Sequence, residues 1–180
     1  MVDFVSRAGE KLQYALTRFN ISVKDLVVAD FGSSTGGFTD CLLKNGAEKV
    51  YSVDTAYGEL AWNLRNDPRV VVMERTNAMH VALQEKVDLI TVDVSWTKQK
   101  NILPNVFKNL KPDGKVISLI KPHYEAGMGK LRLEQVEIVV EKVKREIEEA
   151  GGIIKEFIES PILGEKGKNR EFLALITTQQ

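Results

Sequence analysis

Short apolar runs rich in β-branched residues alternate with helix-patterned stretches along most of the chain. Residues 26–31, 49–54, 69–74, 87–94 and 115–121 are each rich in Val, Ile, Leu or Phe, which predicts short buried strands. Between them, 36–45, 58–65 and 101–110 have helical composition with turn residues at their ends. Strand, helix and strand repeating at this spacing predict a parallel sheet covered on both faces. The clearest helix is 133–150, where Val136, Val139, Val140, Val143, Ile147 and Ala150 share one face and Gly151-Gly152 ends it. Two more strands, 153–159 and 170–177, flank the turn-rich stretch 160–169. A closing pair of this kind fits an antiparallel strand at the edge of a parallel sheet. Ahead of the first strand, Ser6 is a candidate cap for a helix running to about Phe19, with Leu12, Ala15, Leu16 and Phe19 as its buried face. Arg7, Lys11, Tyr14 and Arg18 form a second stripe on that helix. Its periodicity fits a solvated flank whose stems cover apolar surface.

The 180 residues suit one domain, with a helix over 1–20 and an α/β core over 21–180, and show no internal repeat or long linker. Composition narrows the partners. Lys plus Arg and Asp plus Glu both number 25, so no overall positive field attracts nucleic acid, and any such role rests on local patches. A single cysteine, Cys41, excludes a disulfide framework and a cysteine-rich zinc site, and suits a reducing compartment. His80 and His123 lie far apart with no ligand pattern around them, so no metal is expected. Apolar runs fall far short of the ~18 residues of a membrane span, and the first residues lack a signal-peptide core. These features together predict a cytoplasmic globular protein.

The most informative short segment is Asp30-Phe31-Gly32-Ser33-Ser34-Thr35-Gly36-Gly37-Phe38, which follows the first strand and opens a helix. That is where an open α/β sheet binds its ligand. Its glycines let backbone approach a ligand, and the helix start offers free N–H groups. The G-x-x-x-G-G spacing differs from both the dinucleotide fingerprint and the P-loop, which disfavours nucleotide hydrolysis. A cofactor with an adenosine and a carboxylate but no pyrophosphate fits, and S-adenosylmethionine is the obvious candidate. Asp54, at the end of the second strand, is placed to accept ribose hydroxyls, and Asn77-Ala78 after the third to meet an adenine edge. For Asp54 alone, a turn or capping role is the plain alternative.

Charge also stands at strand ends: Asp93 after the fourth, Lys121 after the fifth and Glu171 at the start of the last. All are costly to bury unpaired, so they mark either an ion pair at the sheet rim or a reacting cluster.

Ser6-Arg7-Ala8-Gly9-Glu10-Lys11-Leu12, the loop 32–40, Arg75-Thr76-Asn77-Ala78, Asp93-Val94-Ser95, Ile120-Lys121-Pro122 and Asn169-Arg170-Glu171-Phe172 follow one another in order. In this the chain resembles the methyltransferase domain of the TlyA, or hemolysin-A-like, group of FtsJ-type ribosomal RNA 2′-O-methyltransferases. The resemblance implies a Rossmann-like methyltransferase fold with a seven-stranded, mostly parallel sheet and one antiparallel edge strand. It also implies S-adenosylmethionine as cofactor, held by Asp30, Gly32, Ser34, Thr35, Gly36, Gly37, Phe38, Asp54, Asn77 and Ala78. The family's Lys-Asp-Lys-Glu tetrad falls on Lys11, Asp93, Lys121 and Glu171. Lys121 is then the group that contacts the ribose hydroxyl, either as a neutral base or as a charged donor that orients it. Arg7, Arg18, Lys166, Lys168 and Arg170 become candidates for phosphate contact. The chain departs from the family's pattern in having Ala8 in a paired-glycine position, Trp96 where Phe is common, and a shorter segment over 123–132. The family's small RNA-binding domain does not precede Met1, so much of the grip on ribosomal RNA or ribosomal subunits is expected elsewhere.

Three other functions compete: a small-molecule methyltransferase, a non-catalytic RNA-binding or ribosome-assembly factor, and a membrane-lytic protein. Amino-group methylation is disfavoured because Asp93-Val94-Ser95-Trp96 lacks the Asn/Asp-Pro-Pro-aromatic sequence common there. Lysis is disfavoured because the helix over 133–150 carries six acidic and three basic residues, which opposes binding to anionic lipid.

Overall fold

In the computed structural model, which describes residues 3–164 and 168–178, seven strands form one mixed sheet. The strands are β1 (Val27–Phe31), β2 (Lys49–Val53), β3 (Val70–Met73), β4 (Val87–Val92), β5 (Leu110–Ile120), β6 (Gly152–Glu159) and β7 (Phe172–Thr178). Their order across the sheet is β3-β2-β1-β4-β5-β7-β6. β1 to β5 pair in parallel, and β7 runs antiparallel between β5 and β6. The single antiparallel strand is therefore second from its edge, and β6 outside it returns to the common direction.

Among the described residues six helices, α1 (Ala8–Arg18), α2 (Gly37–Lys44), α3 (Trp62–Arg65), α4 (Gln99–Asn109), α5 (Pro122–Glu125) and α6 (Leu133–Glu149), flank the sheet. Their apolar stripes make a core on each face of the sheet. Leu12, Ala15 and Leu16 of α1 join Phe38, Cys41 and Leu42 of α2 against Val28, Val50 and Leu89. On the other face Ile102, Leu103 and Val106 of α4 and Val136, Val140, Val143 and Ile147 of α6 cover Ala29, Val53 and Ile90. Burial on both faces explains why the central strands read as near-continuous apolar runs.

The element order matches the pattern of the sequence, with four differences, one being that β5 begins at Leu110 rather than at 115. The stretch 58–65 is helical only over Trp62–Arg65. Directly after Lys121, Pro122 opens a one-turn helix, α5, its fixed φ suiting a first helical position. Ser6 makes no capping bond to α1, whose N-cap is Arg7. The Ser6 carbonyl instead accepts the Gly9 N–H, and its hydroxyl faces Gly37, where any β-carbon would collide with it.

Candidate active site

The strand order reverses at β1 and β4, because the chain moves outward from β1 to β3 and returns beside β1 as β4. The carboxyl ends of these two strands form the crevice where open α/β sheets bind ligands. Their register sets Phe31 against Val92, so Gly32 and Asp93 leave the sheet side by side. Gly32 has φ of +89°, and a β-carbon there would lie 2.5 Å from the Asp93 carbonyl oxygen. Both the backbone conformation and the close approach require glycine.

Two pockets meet at this crevice, of about 420 and 260 Å³, and both are bordered by Gly32, Ser34, Asp93 and Ser95. Asp54, Asn77, Ala78 and Met79 line the smaller. The Asp54 carboxylate accepts the Ser34 N–H at 2.7 Å and the Ala56 N–H at 2.8 Å, one on each oxygen. Each oxygen keeps acceptor capacity for a ligand hydroxyl. The Asn77 side chain accepts the Met79 N–H, a turn bond that fixes the segment after β3. Thr35, Gly37 and Phe38 face the larger pocket.

Asp30 and Gly36 belong behind the loop. Asp30 is fully buried beneath it and accepts hydrogen bonds from the hydroxyls of Thr39 and Thr91. Burial pushes its carboxyl up to about 7, with the Asp93 carboxylate adding to the effect and the threonine bonds opposing it. Gly36, at φ +101°, leaves room for Leu60 and Leu64 of the segment that packs under the loop.

The larger pocket gathers Lys11, Asp93, Lys121 and Glu171. They form two ion pairs of 2.5 Å each, Lys11 with Glu171 and Lys121 with Asp93. Antiparallel register explains one meeting: Ile120 opposes Phe172, so Lys121 and Glu171 follow side by side at the rim. Lys11 arrives from the other direction, on the first turn of α1, and is buried. Its position in the second stripe is therefore a face turned to the site, and the solvated-flank expectation fails for it. Burial pulls the Lys121 ammonium down, but the adjacent Asp93 carboxylate, with Glu171 beyond it, outweighs that and holds its pKa above the ordinary lysine value. Lys121 is thus a cation at neutral pH. Asp93 Oδ1 is buried, with the Lys121 ammonium 2.5 Å away.

Around this cluster the structure adds residues that sequence reasoning missed. The Tyr124 ring packs 4.3 Å from Trp96 and 5.6 Å from Lys121 Nζ, a cation–π contact. His123 is buried beside them, and burial together with the Lys121 cation holds its imidazole below the usual value. Pro122 was the available signal, since it starts a turn that brings the next residues back over the site.

The candidate phosphate contacts separate. Arg7 lines the larger pocket and donates to the Leu163 carbonyl at 2.9 Å. Arg18 lies seven residues beyond Lys11, about 10 Å further along α1, and donates to the Tyr14 hydroxyl. Lys168 and Arg170 line a neighbouring groove of about 650 Å³, where Arg170 is held by a two-pronged bond to Glu159. Lys166 lies outside the described residues.

The FtsJ-like methyltransferase family model matches residues 4–164. The chain belongs to the FtsJ-like methyltransferase family. Among this methyltransferase's relatives, YqxC of Bacillus subtilis is 44% identical over 181 residues, covering 94% of the chain and 64% of that protein. Hemolysin A of Brachyspira hyodysenteriae is 41% identical, covering 96% of the chain and 76% of the relative. The 16S/23S rRNA (cytidine-2'-O)-methyltransferase TlyA of Mycobacterium tuberculosis is 44% identical over 131 residues, covering 71% of the chain and 49% of TlyA. A solved hemolysin-titled protein of Streptococcus thermophilus superposes with a TM-score of 0.93 at 38% identity, over all of this methyltransferase and 69% of that chain. The chain thus spans less than two thirds of two of these relatives. Among the described residues, no helix is long and apolar enough to cross a membrane.

Proposed function

We propose that the protein transfers a methyl group from S-adenosylmethionine to a ribose 2′-hydroxyl of ribosomal RNA. The observation that carries this reading is the meeting of two Lys–carboxylate pairs, Lys121–Asp93 and Lys11–Glu171, in one pocket continuous with the glycine loop. TlyA of Mycobacterium tuberculosis, whose name states cytidine 2′-O-methylation of 16S and 23S rRNA, supports the choice of acceptor.

The residues present fit the cofactor. Asp54 retains lone pairs for ribose hydroxyls, Ala78, Met79, Val94 and Ile102 give an apolar slot for a purine, and Gly32 keeps the floor clear of a side chain. Bound there, S-adenosylmethionine supplies a methyl group already activated by its sulfonium. The protein's task is to orient a hydroxyl toward that methyl and take its proton. Lys121, charged, donates to the hydroxyl oxygen from Nζ and fixes its direction. Its partner Asp93, whose Oδ1 lies 2.5 Å from Nζ, is the carboxylate that takes the hydroxyl proton as the methyl is transferred. The Lys11–Glu171 pair holds α1 against the start of β7 and closes the pocket's far wall. Arg7 on the pocket rim and Lys168 in the adjoining groove serve RNA phosphates.

Methyl transfer from labelled cofactor to ribosomal RNA, with the modified nucleotide mapped, tests the proposal. Lys121→Ala should keep cofactor affinity and lose about a hundredfold or more in rate. Normal turnover in that variant, or a label found on a base, would sink the reading.

A further inference from the structure

Glu125 is buried at the end of α5, four residues after Lys121. One of its oxygens accepts the Gln99 N–H at 2.9 Å, and the other, Oε2, is buried with no hydrogen-bond partner among the described residues. A half-satisfied buried carboxyl costs stability. Its placement explains what it supplies. Gln99 is the first residue of α4, whose free N–H groups attract an acceptor. The Gln99 side chain in turn accepts the Ser118 hydroxyl at 2.7 Å, three residues before Lys121 on β5. α4, β5 and α5 are thereby tied at one point.

The segment between Asp93 and Gln99 needs such a tie. Trp96 has φ of +61°, a left-handed conformation that is strained for a bulky side chain and persists only where both flanks are fixed. At one end the Asp93 N–H bonds the Phe31 carbonyl at 2.9 Å. At the other, Gln99 is held by Glu125. Lys121 and Tyr124 lie on the Glu125 side of the tie, and Asp93 and Trp96 on the Gln99 side.

We propose that Glu125 is a positioning residue for methyl transfer: by joining the turn after Lys121 to the loop after Asp93, it sets the Lys121–Asp93 contact and seats Trp96 on Tyr124. This rests on the methyl-transfer reading of that pair. Glu125 touches neither reacting group and acts through the two loops. Glutamine is its closest mimic, because it has the same length and keeps an oxygen where the carboxylate accepts the Gln99 N–H.

The test compares Glu125→Ala and Glu125→Gln with Val143→Ala, a core truncation in α6 that lowers stability away from the site. All are made in a Trp62→Phe background, which leaves Trp96 as the only tryptophan of the two in the chain. Glu125→Ala is expected to shift Trp96 emission and to lower kcat about tenfold or more. Glu125→Gln should keep both within about threefold, because its amide oxygen still accepts the Gln99 N–H. Val143→Ala should lower Tm and leave both readouts alone at a temperature well below melting. Should Glu125→Ala not fold, Glu125→Asp, one methylene short of Gln99, carries the same expectation. A Glu125→Ala or Glu125→Asp protein that matches Val143→Ala, with lower Tm but unmoved emission and kcat, overturns the proposal. If the parent transfers no methyl to ribosomal RNA but Trp96 emission still moves, the RNA reading falls and the Glu125 tie stands.

Discussion

At the scale of single residues, the decisive property is the charge on Lys121. Asp93 lies 2.5 Å away and its carboxylate raises the lysine's pKa despite the opposing effect of burial. For a lysine, a raised folded-state pKa means the pair's stabilisation is fully present below the ordinary value and lost only as pH rises through the higher one. The cation therefore persists throughout the range in which enzymes are usually assayed. A charged Lys121 that orients the hydroxyl predicts a single-turnover rate independent of pH between about 7 and 9. A neutral Lys121 acting as base would instead be a minor species whose population, and rate, climb about tenfold per pH unit there. Measuring that limb separates the two roles left open by the sequence, and a steep climb would remove the oriented-donor mechanism.

At the scale of elements, α1 is attached to the sheet by both apolar burial and one buried ion pair. Leu12, Ala15 and Leu16 pack against α2 and the sheet, while Lys11 reaches Glu171 just before β7. Removing one partner leaves a buried charge without compensation, whereas removing both leaves an apolar contact. Lys11→Met should therefore cost about 3–5 kcal/mol in denaturant unfolding. Lys11→Met with Glu171→Leu should recover most of it without recovering methyl transfer. A single variant as stable as the double would show that the pair does not clamp α1. These elements differ in how far the sequence foretells them. The central strands are legible because burial on both faces leaves a near-continuous apolar run, and α6 because one stripe recurs at helical spacing. The turn 55–61 is not, since helical composition there yields to packing of Leu60 and Leu64 beneath Gly36.

At the scale of the whole molecule, residues 160 positions apart meet because the strand order and the β5–β7 register bring them together. Neither spacing nor propensity contains that information. Lys11 and Glu171 were therefore legible as a pair only through ordered motifs, and Glu125 and Ser6, whose roles depend wholly on tertiary neighbours, were not. Asp54 was accessible to local reasoning because a strand end and a glycine loop fix its place. The same whole-molecule view resolves the neutral charge balance of 25 against 25. Arg7 lies on the pocket that holds the two ion pairs, and Lys130, Arg132 and Lys168 line the groove next to it. None of these four forms an ion pair with another described residue. Positive charge is thus placed locally, around the pocket and the neighbouring groove. If it follows an RNA strand, about four phosphates are contacted and log K should fall with log salt at a slope of about −3. A fourfold rise in salt then weakens RNA binding about 50-fold, and Arg132→Ala should flatten the slope by about 0.7. Binding measured across a salt series checks both. A slope unchanged by Arg132→Ala would mean that RNA leaves the pocket by another path.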